Sequence, residues 1–259
     1  IRNHDQNHII FIEGNWFAND FSGLTPPWDS NMVYSFHKYW TYNDTASIQW
    51  VLDMRNQHNI PLWMGESGEN SNTWYTDAVK LFKSNNIGWS WWPWKRIATT
   101  VSPFSVKSNE NYETIIKYWK GEVAKPSTAD AIAGLTQLTS DLLVVNNDYF
   151  KDVVDALLRQ PENDTHIPYS TNSIPGVLYF SNFDLGANEI PYYDVDNANY
   201  SLSTNSFQAW NSGWSLRNDG VDIQSNSDNT NSNGYHVAWT QKGEWMKYSV
   251  EIAETAYYD

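Results

Sequence analysis

Four residues that are able to do chemistry or to contact a ligand stand at the carboxyl ends of apolar runs: Glu13, His37, Glu66 and Trp92. Successive members are separated by about the length of one strand and one helix. In parallel α/β architectures the carboxyl ends of the strands are where ligands bind. The four side chains are therefore expected to meet at one edge of a sheet.

Glu66 lies in "PLWMGESGENS", residues 61–71, between Gly65 and Gly68. The two glycines allow a sharp turn and the close approach of a ligand. Judged alone, this carboxylate is explained equally well as a functional group and as the acidic residue at a helix N-terminus, where the helix dipole favours negative charge. The segment "FHKYW" adds His37 and Tyr39 at the end of the preceding strand. A phenol that donates to a carboxylate holds it ionised and aimed, as a nucleophile requires, whereas a lone histidine there is more often structural.

The first hundred residues alternate between short apolar runs and helical stretches. The runs "HIIFIEG", "NMVYSFHKYW", "IPLWMGES" and "NIGWSWWPW" predict buried parallel strands, with helices between them that Asp or Asn residues cap. Four βα units are half of a (β/α)₈ barrel, and the other half is expected upstream of Ile1. A doubly wound sheet is the alternative, but no glycine-rich phosphate turn follows any strand. Residues 127–160 predict two amphipathic helices, broken near Asn146–Asn147, that pack on the barrel exterior.

Composition narrows the choice of partner. The 259 residues carry a formal net charge of −14, which would repel a phosphate backbone, and no apolar run approaches the length of a membrane span. Cysteine is absent, so disulfides and thiolate metal sites are excluded. The 15 Trp and 16 Tyr residues suit the flat C–H faces of sugars, although aromatic packing also explains them.

The pattern changes around "PENDTHIPYSTNSIPG", and we place a domain boundary near residue 170. Beyond it, the short alternating runs "GVLYFSNF", "GVDIQS", "YHVAWT" and "EWMKYSVEI" predict an antiparallel β-sandwich. The fold class expected for the whole chain is therefore α/β plus all-β, a half-barrel followed by a partial β-sandwich of jelly-roll type.

The strings "HIIFIEGNWF", "VYSFHKYW", "PLWMGESG" and "GWSWWPWK" resemble, in order and spacing, strands five to eight of family 5 glycoside hydrolases, the cellulase family of clan A. The resemblance covers residues 1–168. It implies that Glu66 is the catalytic nucleophile, that His37 and Tyr39 are the family's His-x-Tyr pair, and that Trp92 forms the floor of the sugar site. Trp16, in the loop after the first strand run, is a weaker candidate for a sugar platform.

The reaction implied is retaining hydrolysis of a β-glycosidic bond, which needs a second carboxylic acid as acid/base. The family's Asn-Glu-Pro motif for that acid does not occur in this sequence and is expected before Ile1. Glu13 lies one strand too late and is interpreted as a substrate-side or structural group. We therefore expect the chain by itself to be catalytically inactive.

The strings "IPGVLYFSNFD", "PYYDVDN", "DGVDI" and "VAWTQKGEWMKYSV", within residues 174–259, resemble family 6 carbohydrate-binding modules. The resemblance implies a glycan cleft in which Tyr193, with Tyr192 beside it, contacts sugar, and sheet packing is the alternative for this pair. Phe180 and Ser181 replace the Ala-Glu pair that often belongs to a calcium site. No cofactor is therefore predicted, and calcium in this module stays an alternative. The chain ends before the loops that complete the cleft, so a truncated module is expected.

The leading hypothesis is a fragment of a secreted, modular, retaining endo-β-glycanase that acts on a polysaccharide such as β-glucan, with neither a nucleic acid nor a membrane as partner. Extracellular localisation follows from the resemblance alone. A non-catalytic carbohydrate-binding protein is the second hypothesis. A third is a metal-dependent α/β hydrolase that uses Glu13, His37 and Glu66, although metal ligands need tighter clustering and supporting partners.

Overall fold

A parallel sheet of four strands organises the first part of the chain. The computed structural model describes residues 1–200 and 207–258. Within them, sequence order and spatial order agree for β1 (Ile10–Glu13), β2 (Met32–His37), β3 (Leu62–Glu66) and β4 (Gly88–Trp89). All three neighbouring pairs are parallel. The parallel strands with crossovers predicted from the sequence are confirmed, and their order is that of consecutive strands in a β/α barrel.

The predicted helices are present, with side-chain caps at several of their starts. The helices are α2 (Thr45–His58), α3 (Asn72–Ser84), α4 (Glu110–Trp119), α5 (Thr128–Asp141) and α6 (Lys151–Leu158). A further short element, α1 (Asn15–Ala18), was not predicted, and Trp16 and Phe17 within it have left-handed dihedral angles. The side chains of Asp44, Ser71 and Asn109 accept hydrogen bonds from backbone N–H groups in the first turns of α2, α3 and α4. A 3₁₀ turn, Val144–Asn146, separates α5 from α6 at the predicted break.

The core lies between one face of the sheet and the helices α2, α3 and α6. Tyr34, Phe36 and Met64 point from β2 and β3 into this core, where Trp74 and Phe82 of α3 meet them, all at 0–1% exposure. The remaining helical contribution comes from Ile48, Val51, Leu52, Val153, Ala156 and Leu157. Since side chains alternate along a strand, the residues between these core positions project from the opposite face, where the polar groups gather.

Smaller elements complete this part. The strands β5 (Lys95–Ile97), β6 (Phe104–Val106) and β7 (Asp148–Tyr149) form a separate three-stranded sheet. Helix α5 packs on α4 at Gly134, where a Cβ atom would lie 2.8 Å from the backbone of Asn111. Among the helices of the described residues, none has the length and apolar character that a membrane crossing requires.

The second part differs from the predicted sandwich. Its described residues form three separate two-stranded ladders, β8 with β13, β9 with β12 and β10 with β11, rather than two packed sheets. The bounds are β8 (Ser173–Ile174), β9 (Tyr192–Tyr193), β10 (Ile223–Ser225), β11 (Tyr235–Val237), β12 (Trp245–Met246) and β13 (Glu251–Ile252). The run "GVLYFSNF" holds a 3₁₀ turn, Phe180–Asn182, instead of a strand. A small core forms around Phe183, Tyr192, Val221 and Ile223.

A buried polar network joins the two parts. Asn72 Nδ2, at the start of α3, donates to Asp152 Oδ2 at 2.8 Å and to Asp219 Oδ1 at 2.9 Å. Asp152 Oδ2 also accepts from Asn218 N at 2.8 Å, and Arg217 Nε donates to Asp219 Oδ2 at 2.7 Å. All five residues are 0–1% exposed. Buried hydrogen bonds of this kind fix the relative position of the segments that carry them.

One atom of this network is unpaired. Asp152 Oδ1 is buried without a hydrogen-bond partner. Burial is the main cause that raises the pKa of Asp152, and the negative charge of Asp219 adds to it, while Arg217 opposes both. The native state therefore binds a proton at Asp152 more strongly than the unfolded chain does. It follows that the stability contributed by this group is present at low pH and is lost as the pH rises through the native pKa.

We predict that Asp152→Asn keeps the acceptor oxygen and removes this pH-dependent loss. Relative to the parent chain, the free energy of unfolding of the variant is expected to change little at about pH 4 and to gain about 1–3 kcal/mol at about pH 7. Urea unfolding at both pH values measures it. Asp53→Asn, at an exposed carboxylate, is the matched control and should show no such difference. A variant that is less stable than the parent by the same amount at both pH values would contradict the prediction.

Candidate functional site

A register shift between β2 and β3 sets the position of Glu66. Phe36 pairs with Met64, but His37 pairs with Glu66, so Gly65 is an extra residue on β3. Such a bulge re-aims the side chain that follows it. Glu66 consequently lies opposite His37 at the carboxyl end of the sheet, where the sequence predicted that they would meet.

Gly65 is required by its neighbours on the polar face of the sheet. A Cβ atom at this position would lie 2.1 Å from Ser35 Oγ and 2.9 Å from Glu13 Oε1. Ser35 Oγ donates to that same Glu13 oxygen at 3.0 Å. The sequence suggested that Gly65 makes room for a ligand, but the room is taken by these two side chains.

The Glu66 carboxylate contacts a phenol and an imidazole. Tyr39 Oη donates to Glu66 Oε1 at 2.6 Å, and His37 Nδ1 lies 3.6 Å from Glu66 Oε2. On the other side of the same ring, His37 Nε2 lies 3.3 Å from Glu13 Oε1. With 31% of its side chain exposed, Glu66 is held from one side and open to a ligand from the other.

Tyr39 keeps its proton and acts as a fixed donor. Burial is the largest cause that raises the pKa of its hydroxyl, and the hydrogen bond to Glu66 and the negative charge of that carboxylate add to it. A neutral hydroxyl that donates to a carboxylate makes a short, charge-assisted hydrogen bond. The arrangement can therefore present an oriented carboxylate oxygen to an electrophilic carbon.

A cleft of about 690 Å³ opens beside Glu66, within the range of about 300–1,000 Å³ that is usual for small-molecule sites. Aromatic rings form much of its wall, and the lining includes Phe17, Phe36, Tyr39, Trp40, Trp50 and Glu69. Flat rings combined with one carboxylate suit a sugar, which presents flat apolar C–H faces and polar hydroxyl groups.

Lys38 is a lining residue that the sequence did not single out. It is 6% exposed, and its Nζ donates to Thr41 Oγ1 at 2.9 Å and to Asn43 Oδ1 at 2.8 Å, 4.9 Å from the centre of the Trp74 ring. Burial lowers its pKa to about 7. These contacts fix the loop that carries Tyr39. The signal in the sequence was a lysine inside an aromatic segment, which is equally typical of an exposed residue.

Trp92 lies in the cavity next to the Glu66 cleft. Its side chain is 53% exposed, and with Glu69 it lines a space of about 620 Å³. Its backbone N donates to Ser67 O at 2.8 Å. Gly68 makes this approach possible, because its φ is +152° and a Cβ atom there would lie 1.8 Å from Trp92 O. The Trp92 backbone is thus attached to the loop that follows Glu66.

The remaining candidates are placed differently. Trp16 is 74% exposed with a left-handed φ of 54°, and Phe17 rather than Trp16 lines the Glu66 cleft. Tyr192 is 1% exposed and packs on Phe183 with ring centres 5.3 Å apart, which is the packing alternative and leaves no face for sugar. Tyr193 projects the other way and lines a small cavity of about 60 Å³, apart from the Glu66 cleft.

Glu13, His37 and Glu66, the residues of the metal-dependent alternative, do not converge on one point. Within residues 1–200 and 207–258, no group of three or more His, Asp or Glu side chains is arranged to hold a metal ion. Glu13 and Glu66 contact different nitrogen atoms of His37, so that the ring separates the two carboxylates. A single ion cannot be shared through both edges of one imidazole, and this geometry argues against the metal-dependent alternative.

The first part of the chain matches the model of a known protein family. Residues 1–97 match the model of the cellulase family, glycosyl hydrolase family 5. Among curated proteins, no match was found. The segment that holds β1 to β4 is thus similar to glycoside hydrolases.

Two solved structures resemble part of the chain. The cellulose synthase subunit Z of Clostridioides difficile is 18% identical, with 40% of this chain and 46% of that chain covered and a TM-score of 0.35. An endoglucanase is 17% identical, with 40% and 45% covered and a TM-score of 0.34. The chain spans less than half of the length of these structures.

We predict that Gly68→Ala destabilises the site. The added Cβ must displace the Trp92 carbonyl or the loop after Glu66, so the free energy of unfolding is expected to fall by about 2–4 kcal/mol. Gly121→Ala is the control, because its φ is +77° but nothing lies within 4 Å of the added atom, and it should cost only about 1–2 kcal/mol. Urea unfolding measures both, and equal losses would show that the contact with Trp92 is not the constraint.

Proposed function

We propose that this chain is part of a retaining endo-β-glycanase in which Glu66 is the nucleophile. The observation that carries the proposal is the 2.6 Å hydrogen bond from Tyr39 Oη to Glu66 Oε1 at the wall of an aromatic cleft. The match of residues 1–97 to the cellulase family supports the same reaction class. The proposed substrate is a β-glucan, and the proposed localisation is extracellular, as for many enzymes of this kind.

In the first step, an oxygen of Glu66 attacks the anomeric carbon, and the bond from that carbon to the leaving oxygen breaks. Oε1 accepts from Tyr39, so Oε2 is the oxygen left for attack. The product is a glycosyl ester on Glu66, and the leaving oxygen takes a proton from a second carboxylic acid. Water then hydrolyses the ester with that second residue as base, which retains the configuration.

The acid/base is the part of the reaction that these residues do not supply. Retaining enzymes place the two carboxyl groups about 5–5.5 Å apart. Glu13 is engaged with Ser35 and His37 on the neighbouring strand, which suits a substrate-side role. We assign the acid/base to an Asn-Glu-Pro segment in β/α units outside the present sequence.

The other polar residues position the nucleophile and the sugar. Tyr39 orients Glu66, and His37 spaces Glu66 from Glu13. Trp92 offers an exposed indole face beside the cleft, onto which a pyranose ring can stack. In the second part, Tyr193 is proposed to contact glycan at its own cavity.

A mechanism-based probe tests the nucleophile without the missing acid. We predict that a fluorinated β-cellobioside with a dinitrophenolate leaving group esterifies Glu66, because this leaving group departs as an anion and needs no proton. Mass spectrometry of peptides locates the added sugar, and Glu66→Gln should stay unlabelled. Unsubstituted β-glucan is expected to remain uncleaved by the same chain. Labelling of Glu13 instead would overturn the assignment. Binding of cello-oligosaccharides with no labelling at all would favour a non-catalytic carbohydrate-binding protein.

Tyr39→Phe tests the positioning hydrogen bond. The variant loses the donor to Glu66 Oε1 but keeps the ring, and we predict that esterification by the same probe slows by about 10- to 100-fold. Tyr42→Phe is the matched control, since Tyr42 is an exposed tyrosine of the same loop that stacks on Tyr200 rather than contacting Glu66. An unchanged rate in Tyr39→Phe would show that the hydroxyl does not orient the nucleophile.

A further inference from the structure

A second cleft lies where the barrel segment, residues 1–168, meets the second part of the chain, which follows residue 170. We call it the junction cleft, and it is lined by Glu69, Arg96, residues 97–101, Trp210 and Trp214. Its volume is about 460 Å³, within the range of about 300–1,000 Å³ for ligand sites. One wall thus comes from the loop after β3 and from β5 with the residues that follow it, and the other from two tryptophans that come more than a hundred residues later.

The junction cleft adjoins the Glu66 cleft through a shared residue. Glu69 lines both of them and also the cavity that contains Trp92. Its backbone O accepts from Trp40 Nε1 at 3.2 Å, and its carboxylate is paired with Arg96. The ion pair stands at the boundary of the three spaces, where its remaining N–H groups and oxygen atoms are able to bind hydroxyl groups.

Trp214 offers an aromatic surface in this cleft. Its side chain is 42% exposed, and its backbone is in the left-handed region with a φ of 50°. Phe207 stacks on it at 5.9 Å, and Trp210 meets it edge-on at 4.8 Å. A large ring that is held by two others and still half exposed is poorly explained by core packing.

Trp214 is also fixed relative to Glu66. The neighbouring Trp210 is 2% exposed, and its Nε1 donates to Asn218 Oδ1 at 3.2 Å. Asn218 Nδ2 in turn donates to Asn70 O at 2.8 Å, next to Glu69. This chain of contacts is buried, so the Trp214 ring is held in place before any ligand binds, which lowers the cost of binding.

We infer that Trp214 and the Glu69–Arg96 pair form an additional sugar subsite, in which a β-glucan chain that extends from the Glu66 cleft rests on the second part of the protein. The inference rests on the proposed function, because it takes the same polysaccharide as ligand. It adds a distinct element, namely that longer chains gain affinity through a residue outside the barrel segment.

The test compares short and long cello-oligosaccharides on the full chain by calorimetry. The parent chain should bind cellohexaose more tightly than cellotriose. Trp214→Ala should weaken cellohexaose binding by about 3- to 10-fold and leave cellotriose binding unchanged. Trp214→Phe should restore part of the affinity because it keeps a ring. Trp239→Ala is the control, at a tryptophan of similar exposure that does not line the junction cleft.

The outcomes separate this inference from the proposed function. Equal binding of the two sugars by the parent chain overturns the subsite, and so does an equal loss for both sugars in Trp214→Ala, which would mean a structural role. Unchanged cellohexaose affinity in Trp214→Ala overturns it as well. The proposed function fails on a separate result, the absence of Glu66 labelling by the fluorinated probe. Protection of the Trp214 indole from N-bromosuccinimide by cellohexaose, but not by cellotriose, is the supporting result that needs no substitution.

Discussion

The extra residue at Gly65 is the constraint on which the site depends. Because β3 gains one residue relative to β2, Glu66 pairs with His37, and its carboxylate comes within 2.6 Å of the Tyr39 hydroxyl. A strand without the shift would place Gly65 opposite His37, and Glu66 would turn toward the helix-covered face of the sheet, since successive side chains alternate. There a carboxylate would be buried among Tyr34, Met64 and their neighbours without a partner, at a large free-energy cost.

The loop after β2 supports this arrangement with hydrogen bonds from neutral donors rather than with a counter-charge. Lys38 N donates to Glu66 O at 3.1 Å, while the Lys38 ammonium is turned away toward Thr41 and Asn43. Tyr39 then holds the carboxylate with a hydroxyl that keeps its proton. A fixed cation would stabilise the carboxylate strongly and would make it a weaker nucleophile, whereas a neutral donor orients it at a smaller cost in reactivity.

The sequence predicted the features that depend on local patterns. Strand ends, helix starts and the break between α5 and α6 follow from apolar runs and from capping side chains such as Asp44 and Asn109, which act within a few residues. The bulge at Gly65 was not predicted, because a glycine before a polar loop looks the same whether the strand has ended or has shifted register. The sequence could not tell which of Tyr192 and Tyr193 packs in the core, for a similar reason. The alternation of side chains along a strand shows that two neighbours face opposite ways, but not which of them faces the core. The packing of distant segments decides that, and it also decides the turn at Phe180–Asn182.

In the proposed function, the contact between the two parts changes how the second part acts on the substrate. A module on a flexible linker raises the local concentration of substrate without affecting the geometry of the catalytic cleft. Here Asn72 and Asp152 hold Asn218 and Asp219 by buried hydrogen bonds, and the Asn218 side chain donates to the backbone O of Asn70, next to Glu69. Because this contact is already ordered in the free protein, ligand binding loses little conformational entropy there. It also restricts the second part to one position, so in the proposed function that part contributes to substrate binding only along the path on which Trp214 lies. A rigid joint therefore favours a continuous binding surface over independent anchoring.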